Sequence, residues 1–209
     1  MFVRSRMSRD YVCVSPEDSL AKVYAIVKEK SFEGLPVVAD GKVVGVVTTW
    51  DILSRLAETD RTEEYLRETK VAEVMTDQPL TIREDEIIEE AARIMYQKEI
   101  DLLPVVDEND RVVGVITEPD FFKVFVEMLG LERPGTRISL VVPERVGQLA
   151  KVTEIVKRHG VNIISLVTFE PGRPFGDVVL RVDTVESKPI VDDLVEAGFR
   201  VLHVSQVWA

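Results

Sequence analysis

Residues 43–52, VVGVVTTWDI, and residues 112–121, VVGVITEPDF, are two copies of one stretch. Each copy opens with a run of β-branched apolar residues, which is typical of a buried strand. A glycine interrupts the run, Gly45 in the first copy and Gly114 in the second. A glycine inside a strand indicates a close backbone approach. A Thr-x-x-Asp sequence follows, so each copy predicts a strand that leads directly into a helix.

The Thr-x-x-Asp spacing, Thr48 to Asp51 and Thr117 to Asp120, has two interpretations. The first is a capping box, in which the Thr hydroxyl and the carboxylate satisfy backbone N–H groups at the helix start. The second is a nucleotide site. The free N–H groups of a helix start attract a phosphate, and the carboxylate can accept hydrogen bonds from both hydroxyls of a ribose. A single occurrence would favour the cap, whereas two occurrences in register behind the same glycine favour a ligand.

The repeat extends well beyond these two stretches. Met7 aligns with Met75 at an offset of 68 residues, and one additional residue in a later turn changes the offset to 69. An internal repeat of this kind means two copies of one structural unit. The residues from Ala57 to Lys70 are rich in charge, and we expect a solvated linker or an exposed helix there.

Each copy is predicted to have the order β-α-β-β-α. In the first copy the residue patterns predict a strand at 11–14, a helix that begins at Ser15-Pro16, strands at 35–38 and 42–48 around an Asp40-Gly41 turn, and a helix at 49–56.

The repeated residues resemble a tandem pair of CBS domains, or Bateman module. The residues that carry the resemblance are Leu35-Pro36-Val37-Val38 with 45–51, and Leu103-Pro104-Val105-Val106 with 114–120. The resemblance implies one CBS domain at residues 1–60 and a second at 71–130. It also implies adenosine-containing ligands in a cleft between the repeats.

By the same resemblance, the nucleotide-binding residues would be Gly34, Thr48 and Asp51 in the first copy and Leu102, Thr117 and Asp120 in the second. The ligand class is AMP, ATP, adenosine or S-adenosylmethionine, acting as a regulatory ligand. We expect no required cofactor and no metal.

Residues 136–207 predict a different order, β-α-β-β-α-β, which is ferredoxin-like. They resemble an ACT domain on the strength of 144–149, ERVGQL, and 159–163, HGVNI. This resemblance implies an amino-acid ligand at the loop before the first helix. Its candidate residues are Gly147, Gln148, Leu149 and Asn162. In the alternative, Gly147 only shapes the entry into the helix and the domain only dimerises. The fold class is therefore expected to be α+β, with tandem CBS domains followed by a ferredoxin-like ACT domain.

Composition argues against several partners and compartments. The chain has 209 residues, with 26 basic and 37 acidic side chains and a formal net charge of −11. This charge argues against nucleic acid or an anionic membrane surface as a partner. We find no apolar run of about 20 residues and no secretory signal. A single cysteine, Cys13, suits a reducing cytoplasm.

No residue pattern indicates an enzyme. The chain has two histidines, and neither zinc-ligand spacing nor a phosphate-binding loop is present. The order of two CBS units and one ACT unit is similar to the CBS–ACT proteins of the acetoin utilisation type. We therefore expect a non-catalytic regulatory homodimer that acts on an unidentified regulated protein. The alternatives are a structural or adaptor dimer without a ligand, and a small enzyme with an unrecognised site.

Overall fold

The computed structural model describes residues 1–57, 62–169 and 174–207. It divides into two compact units, Met1–Phe122 and Lys123–Ala209. Helices and antiparallel hairpins alternate along the chain, so the expected α+β class is confirmed.

The first repeat contains the hairpin that the sequence predicts. Its elements are α1 (Leu20–Lys30), β1 (Gly34–Ala39), β2 (Lys42–Thr48) and α2 (Thr49–Leu56). β1 and β2 pair antiparallel, and the two residues between them have positive φ, 52° at Asp40 and 78° at Gly41. Positive φ at both positions matches the twist of a tight hairpin. Leu35 and Val47 of the hairpin and Ile52 of α2 are fully buried in the core of this repeat.

The beginning of this repeat differs from the prediction in two places. Only Val14 of the expected strand pairs, in a single bridge to Val37. The helix does not begin at Ser15, because the Asp18 carboxylate accepts the Ser15 N–H at 2.8 Å and closes a turn there. The cap is Ser19, whose hydroxyl accepts the N–H of Lys22. Two serines lie near this helix start, and the turn closed by Asp18 selects the second.

The charged segment after α2 contains a helix, α3 (Thr62–Glu68). Most of its side chains are exposed, as expected. Leu66, however, is buried in the core of the first repeat. The segment is therefore anchored to that core and is not simply a solvated linker; residues 58–61 lie outside the described residues.

The second repeat has the same plan. Its elements are β3 (Thr76–Asp77), β4 (Ile82–Arg83), α4 (Ile88–Lys98), β5 (Leu102–Val106), β6 (Val112–Thr117) and α5 (Glu118–Leu129). Its hairpin has a register shift after Val105, at the position equivalent to the shift after Val37 in the first repeat. The additional residue found in the sequence lies in the turn that joins β5 to β6.

The two repeats exchange their N-terminal segments. The N–H of Val3 donates to Glu86 O at 2.8 Å, and the N–H of Val71 donates to Asp18 O at 2.9 Å. The two donor residues are 68 residues apart in the sequence, and so are the two acceptor residues. The N-terminal segment of each repeat therefore forms a backbone hydrogen bond with the residues just before the first helix of the other repeat.

The exchange continues into the sheets. β3 pairs with β2, and Ser8, near the start of the first repeat, bridges to Val115 in β6. A Cβ on Gly45 would lie 2.5 Å from Met75 Sδ, and a Cβ on Gly114 would lie 2.7 Å from Met7 Sδ. The close approach predicted from the two glycines is therefore confirmed, and the approaching residue is the methionine of the other repeat.

The second unit carries the ferredoxin-like order. Its elements after α5 are β7 (Gly135–Pro143), α6 (Gln148–Arg158), β8 (Ile163–Phe169), β9 (Phe175–Val182), α7 (Lys188–Glu196) and β10 (Arg200–Val207). The four strands form one antiparallel sheet in the order β10-β7-β9-β8. Both helices pack on one face, over a core that includes Leu140, Leu180 and Leu194.

The described residues bear on three further expectations, which concern membrane spans, metal sites and the single cysteine. No helix in the described ranges has the length and apolar character that a bilayer crossing requires. Nor do three or more His, Cys, Asp or Glu side chains of this part of the chain group as a metal site would. Cys13 is half-buried and free, and burial raises the pKa of its thiol. Cytoplasmic location remains a prediction.

Candidate functional site

The first Thr-x-x-Asp turn forms a closed capping box at the start of α2. Asp51 Oδ2 accepts hydrogen bonds from the Thr48 backbone N–H at 2.8 Å and from Thr48 Oγ1 at 2.7 Å. The Asp51 N–H donates to Thr48 Oγ1 at 3.1 Å. The cap interpretation is therefore confirmed here. The same bonds hold the carboxylate in one orientation at the helix start, where the nucleotide interpretation requires it.

The second turn repeats this arrangement around the carboxylate at the start of α5. Asp120 Oδ2 accepts from the Thr117 backbone N–H at 3.0 Å and from Thr117 Oγ1 at 2.9 Å. Asp120 is 5% exposed, whereas Asp51 is only half-buried. The two carboxylates thus have the same backbone setting and different access to solvent.

The remaining two candidate positions lie directly opposite the threonines. Gly34 pairs with Thr48 across the first hairpin, and Leu102 pairs with Thr117 across the second. A Cβ on Gly34 would lie 3.1 Å from Val47 O and 3.2 Å from Thr48 Cγ2, so the backbone packs closely there, whereas a buried leucine side chain, that of Leu102, stands at the equivalent position of the second copy. The structure therefore brings the three predicted positions together in each copy.

The two residues between Thr and Asp differ between the copies. Thr49 Oγ1 donates to Phe32 O at 3.4 Å, and Trp50 is 76% exposed. Their equivalents, Glu118 and Pro119, are both exposed. Neither pair contains a basic side chain that could contact a phosphate.

A depression of about 770 Å³ adjoins the second turn. Its lining includes Glu118, Asp101 and Glu99 together with Tyr96 and Phe122, but not Thr117 or Asp120. No motif in the sequence marks these aromatic residues as part of a site. The available signal was that Tyr96 lies outside the apolar stripe of its helix; it is 86% exposed. The acidic lining disfavours a phosphate near Glu118.

The loop before α6 forms a second candidate site, in the other unit. Gly147 caps α6 with φ 88°, and a cavity of about 380 Å³ is lined by Gly147, Gln148 and Leu149 with Thr168 from β8. The first N–H groups of any helix have no intrahelical partner and attract an anion. A ligand carboxylate suits this cavity. The positive φ also accounts for a glycine at 147 without any ligand.

Asn162 lies apart from that loop. It follows the C-terminal end of α6, roughly 16 Å along the helix from its start, and lines another depression with Thr153 and Lys157. Its backbone N–H donates to Asp183 Oδ1 at 2.9 Å. Within one chain the structure therefore joins Gly147, Gln148 and Leu149, and it does not bring Asn162 to them.

Comparison with family models identifies three segments. The CBS domain model matches residues 3–58 and 71–127, and the ACT domain model matches residues 136–206. The two CBS matches cover the two repeats, and the ACT match covers the four-stranded sheet with its two helices.

Solved structures with the same fold include complexes with adenosine compounds. The CBS domain pair of protein MJ0100, in complex with 5′-methylthioadenosine and S-adenosyl-L-methionine, is 30% identical, with TM-score 0.53 over 60% of this chain and 95% of that one. CBSX2 in complex with AMP is 28% identical, with TM-score 0.53 over 60% and 96%. An acetoin utilization protein (AcuB) from Vibrio cholerae is 26% identical, with TM-score 0.55 over 63% and 95%. The resemblance to the acetoin utilisation type is confirmed.

Similar sequences also occur inside longer enzymes. Inosine-5′-monophosphate dehydrogenase of Methanocaldococcus jannaschii is 28% identical over 94% of this chain and 40% of that enzyme. Homoserine O-acetyltransferase of Methanohalobium evestigatum is 35% identical over 60% of this chain and 24% of that enzyme. The chain thus spans less than half the length of these relatives.

Proposed function

We propose, since the chain belongs to the CBS domain family and continues into an ACT domain, that it is a non-catalytic regulatory protein whose CBS pair binds adenosine-containing ligands. One observation carries this proposal. Both Thr-x-x-Asp turns hold a carboxylate at a helix start by two hydrogen bonds to one oxygen, Oδ2. A fixed carboxylate beside free backbone N–H groups suits a ribose and a phosphate at the same turn.

The chemistry of the turns favours ligands with little negative charge. Neither Thr49 and Trp50 nor Glu118 and Pro119 offers a cation to a phosphate chain. AMP, adenosine or S-adenosylmethionine is therefore favoured over ATP. The complexes of MJ0100 with two adenosine compounds and of CBSX2 with AMP support this class of ligand.

A thermal-shift screen tests the proposal on the full chain. The panel is adenosine, AMP, ADP, ATP, S-adenosylmethionine and NADH. A ligand at 100 times its dissociation constant stabilises the folded state by about 2.7 kcal/mol. The matched control is the double variant Asp51→Ala, Asp120→Ala, which should lose the shift. If no compound shifts the wild type, the adaptor alternative stands; turnover of any panel compound would support the enzyme alternative.

We further propose that the ACT domain senses an amino acid at the Gly147 loop. The cavity of about 380 Å³ at the start of α6 supports this. Calorimetry with all twenty amino acids on the wild type is the first test. Gly147→Asp should abolish binding, because the new carboxylate would repel that of the ligand. Since any side chain is strained at φ 88°, Gly147→Ala is the control that separates strain from charge. If no amino acid binds, the domain serves dimerisation alone.

A homodimer is proposed on the exposed apolar surface and the open sheet edges. Tyr96 and Phe122 line one depression and are 86% and 69% exposed, and contiguous exposed apolar side chains indicate an interaction surface. In the other unit, β8 and β10 are edge strands that a second copy can pair. Light scattering at micromolar concentration should give twice the mass of one chain, and a monomer would contradict the proposal.

A further inference from the structure

The sheet of the second unit has a face opposite α6 and α7, and residues 129–133 lie against part of it. One row of side chains crosses all four strands on this face: Ser205, Arg137, Arg181 and Ser165. Arg137 on β7 and Arg181 on β9 are directly opposite each other. Side chains in that relation have their Cβ atoms about 5 Å apart, and like charges there are destabilising.

Arg181 is buried although it is charged. It is 3% exposed, and its Nη2 donates to the carbonyl oxygens of Gly130 at 3.2 Å and Arg133 at 3.0 Å. Its Nε has no hydrogen-bond partner. In the described part of the chain, no carboxylate forms an ion pair with Arg181 or with Arg137.

Two positive charges in this row therefore lack a negative partner. An arginine does not lose its proton in a protein, and a buried charge is costly unless it is paired. The two carbonyl dipoles offset only part of that cost. Arg137 is half-buried and donates through Nη1 to Ser139 Oγ at 2.7 Å, so its partner there is a neutral hydroxyl group beside the row.

We propose that Arg137 and Arg181 form a binding site for a small oxyanion, a phosphate or carboxylate group, on the face of the ACT sheet opposite its helices. The planar guanidinium matches both kinds of oxyanion with two parallel hydrogen bonds. The site is separate from the Gly147 loop, because Arg137 lies near the start of β7 and the loop follows its end, Pro143. It shares no residue with the proposed nucleotide sites, whose residues belong to the other compact unit.

The test is thermal unfolding of the full chain at constant ionic strength, with inorganic phosphate or acetate replacing chloride. At least one of the two oxyanions should raise the unfolding midpoint above the chloride value. Arg137→Gln should weaken the apparent affinity at least about tenfold, since a hydrogen bond to a charged group contributes that much or more. The oxyanion that raises the unfolding midpoint more, phosphate or acetate, shows whether the site prefers a phosphate or a carboxylate group.

Arg200→Gln is the matched control. Arg200 is exposed on β10 of the same sheet, so its substitution removes the same charge away from the row and should leave the oxyanion shift unchanged. AMP binding to Arg137→Gln should equal wild type, which separates this site from the CBS pair. The proposal is wrong if phosphate and acetate act as chloride does. It is also wrong if their shift survives in Arg137→Gln, or is lost equally in Arg200→Gln.

Discussion

In the first repeat, Thr49 and Trp50 stand between the capping threonine and the aspartate, whereas in the second repeat the equivalent positions are Glu118 and Pro119. The hydrogen bonds onto the aspartate are the same in both turns. The backbone plan and the cap therefore survive a complete change of the two residues that would lie nearest a phosphate. The fold therefore requires the threonine and the aspartate of this turn, whereas the two residues between them can differ and so can select the ligand.

The largest expected difference between the repeats concerns the two glycines. A Cβ on Gly114 would lie 2.8 Å from the Ser8 carbonyl oxygen as well as 2.7 Å from Met7 Sδ, whereas a Cβ on Gly45 would lie 2.5 Å from Met75 Sδ and 3.2 Å from the nearest backbone atom, the Thr76 carbonyl oxygen. A thioether end can move and a backbone carbonyl in a bridge cannot do so cheaply. We expect Gly114→Ala to lower the free energy of unfolding by about 2–3 kcal/mol and Gly45→Ala by about 1.

Urea denaturation of both variants measures this difference. Adding Met75→Ala to Gly45→Ala, or Met7→Ala to Gly114→Ala, provides the control. Each double variant is compared with its methionine single variant. The glycine substitution should cost little in the Met75→Ala background and keep most of its cost in the Met7→Ala background, because Ser8 O remains in place. Equal costs for the two glycine substitutions would remove the proposed difference between the repeats.

The next effect is discrimination between AMP and ATP. Two like charges about 5 Å apart at an effective dielectric near 20 repel by roughly 3 kcal/mol before screening, and Glu118 is exposed enough for solvent to reduce this greatly. Pro119 also removes one backbone N–H donor. We expect the site at Asp120 to disfavour ATP relative to AMP about tenfold more than the site at Asp51 does.

Calorimetric titration of Asp51→Ala and Asp120→Ala with both nucleotides isolates each surviving site. Glu118→Gln in the Asp51→Ala background should restore most of the ATP affinity, and Glu64→Gln in the same background, away from the turn, should not. If the Asp120 site binds ATP as well as the Asp51 site does, the proposed asymmetry is wrong.

The smallest effect concerns the first helix of each repeat. α1 is capped by Ser19, while Ile87 occupies the equivalent position before α4 and provides no side-chain cap. The two residues have nearly the same extended backbone, with φ −80° and −78°. Ser19→Ala should therefore cost about 1 kcal/mol of stability.

Ile87→Ser should have the opposite sign. It adds the missing acceptor and sacrifices little burial, since Ile87 is 45% exposed, so we expect a gain of about 0.5 kcal/mol. Thermal unfolding of both variants measures these changes, with Ile87→Ala as the control that removes the side chain without adding a cap. A gain for Ile87→Ala as large as that for Ile87→Ser would show that the cap is not the cause.

Much of the fold was predictable because the chain carries local signals that repeat. The Asp40-Gly41 turn, the apolar hairpin strands and the Thr-x-x-Asp caps each depend on neighbouring residues, so their positions were predictable. The misplaced helix start at Ser15 shows where this fails. Ser15 and Ser19 both resemble caps, and the choice between them depends on a turn that Asp18 closes.

Contacts between distant residues could not be predicted in the same way. Asn162 and Gly147 both matched the pattern of one family, yet the length of α6 keeps them apart within a chain. The burial of Leu66 depends on where α3 packs. Arg137 and Arg181 are far apart in the sequence, and only the strand register places them opposite each other.

By itself the sequence determined the two repeats, the ferredoxin-like order and the pairing of each threonine with its aspartate, because these depend on period, spacing and turn chemistry along a continuous chain. Only the tertiary structure decided that the strand glycine of each repeat packs against the methionine of the other repeat. It also decided that two arginines lie in one row of the sheet. Both results depend on strand register between segments far apart in sequence. A shift of one residue would turn every side chain to the opposite face.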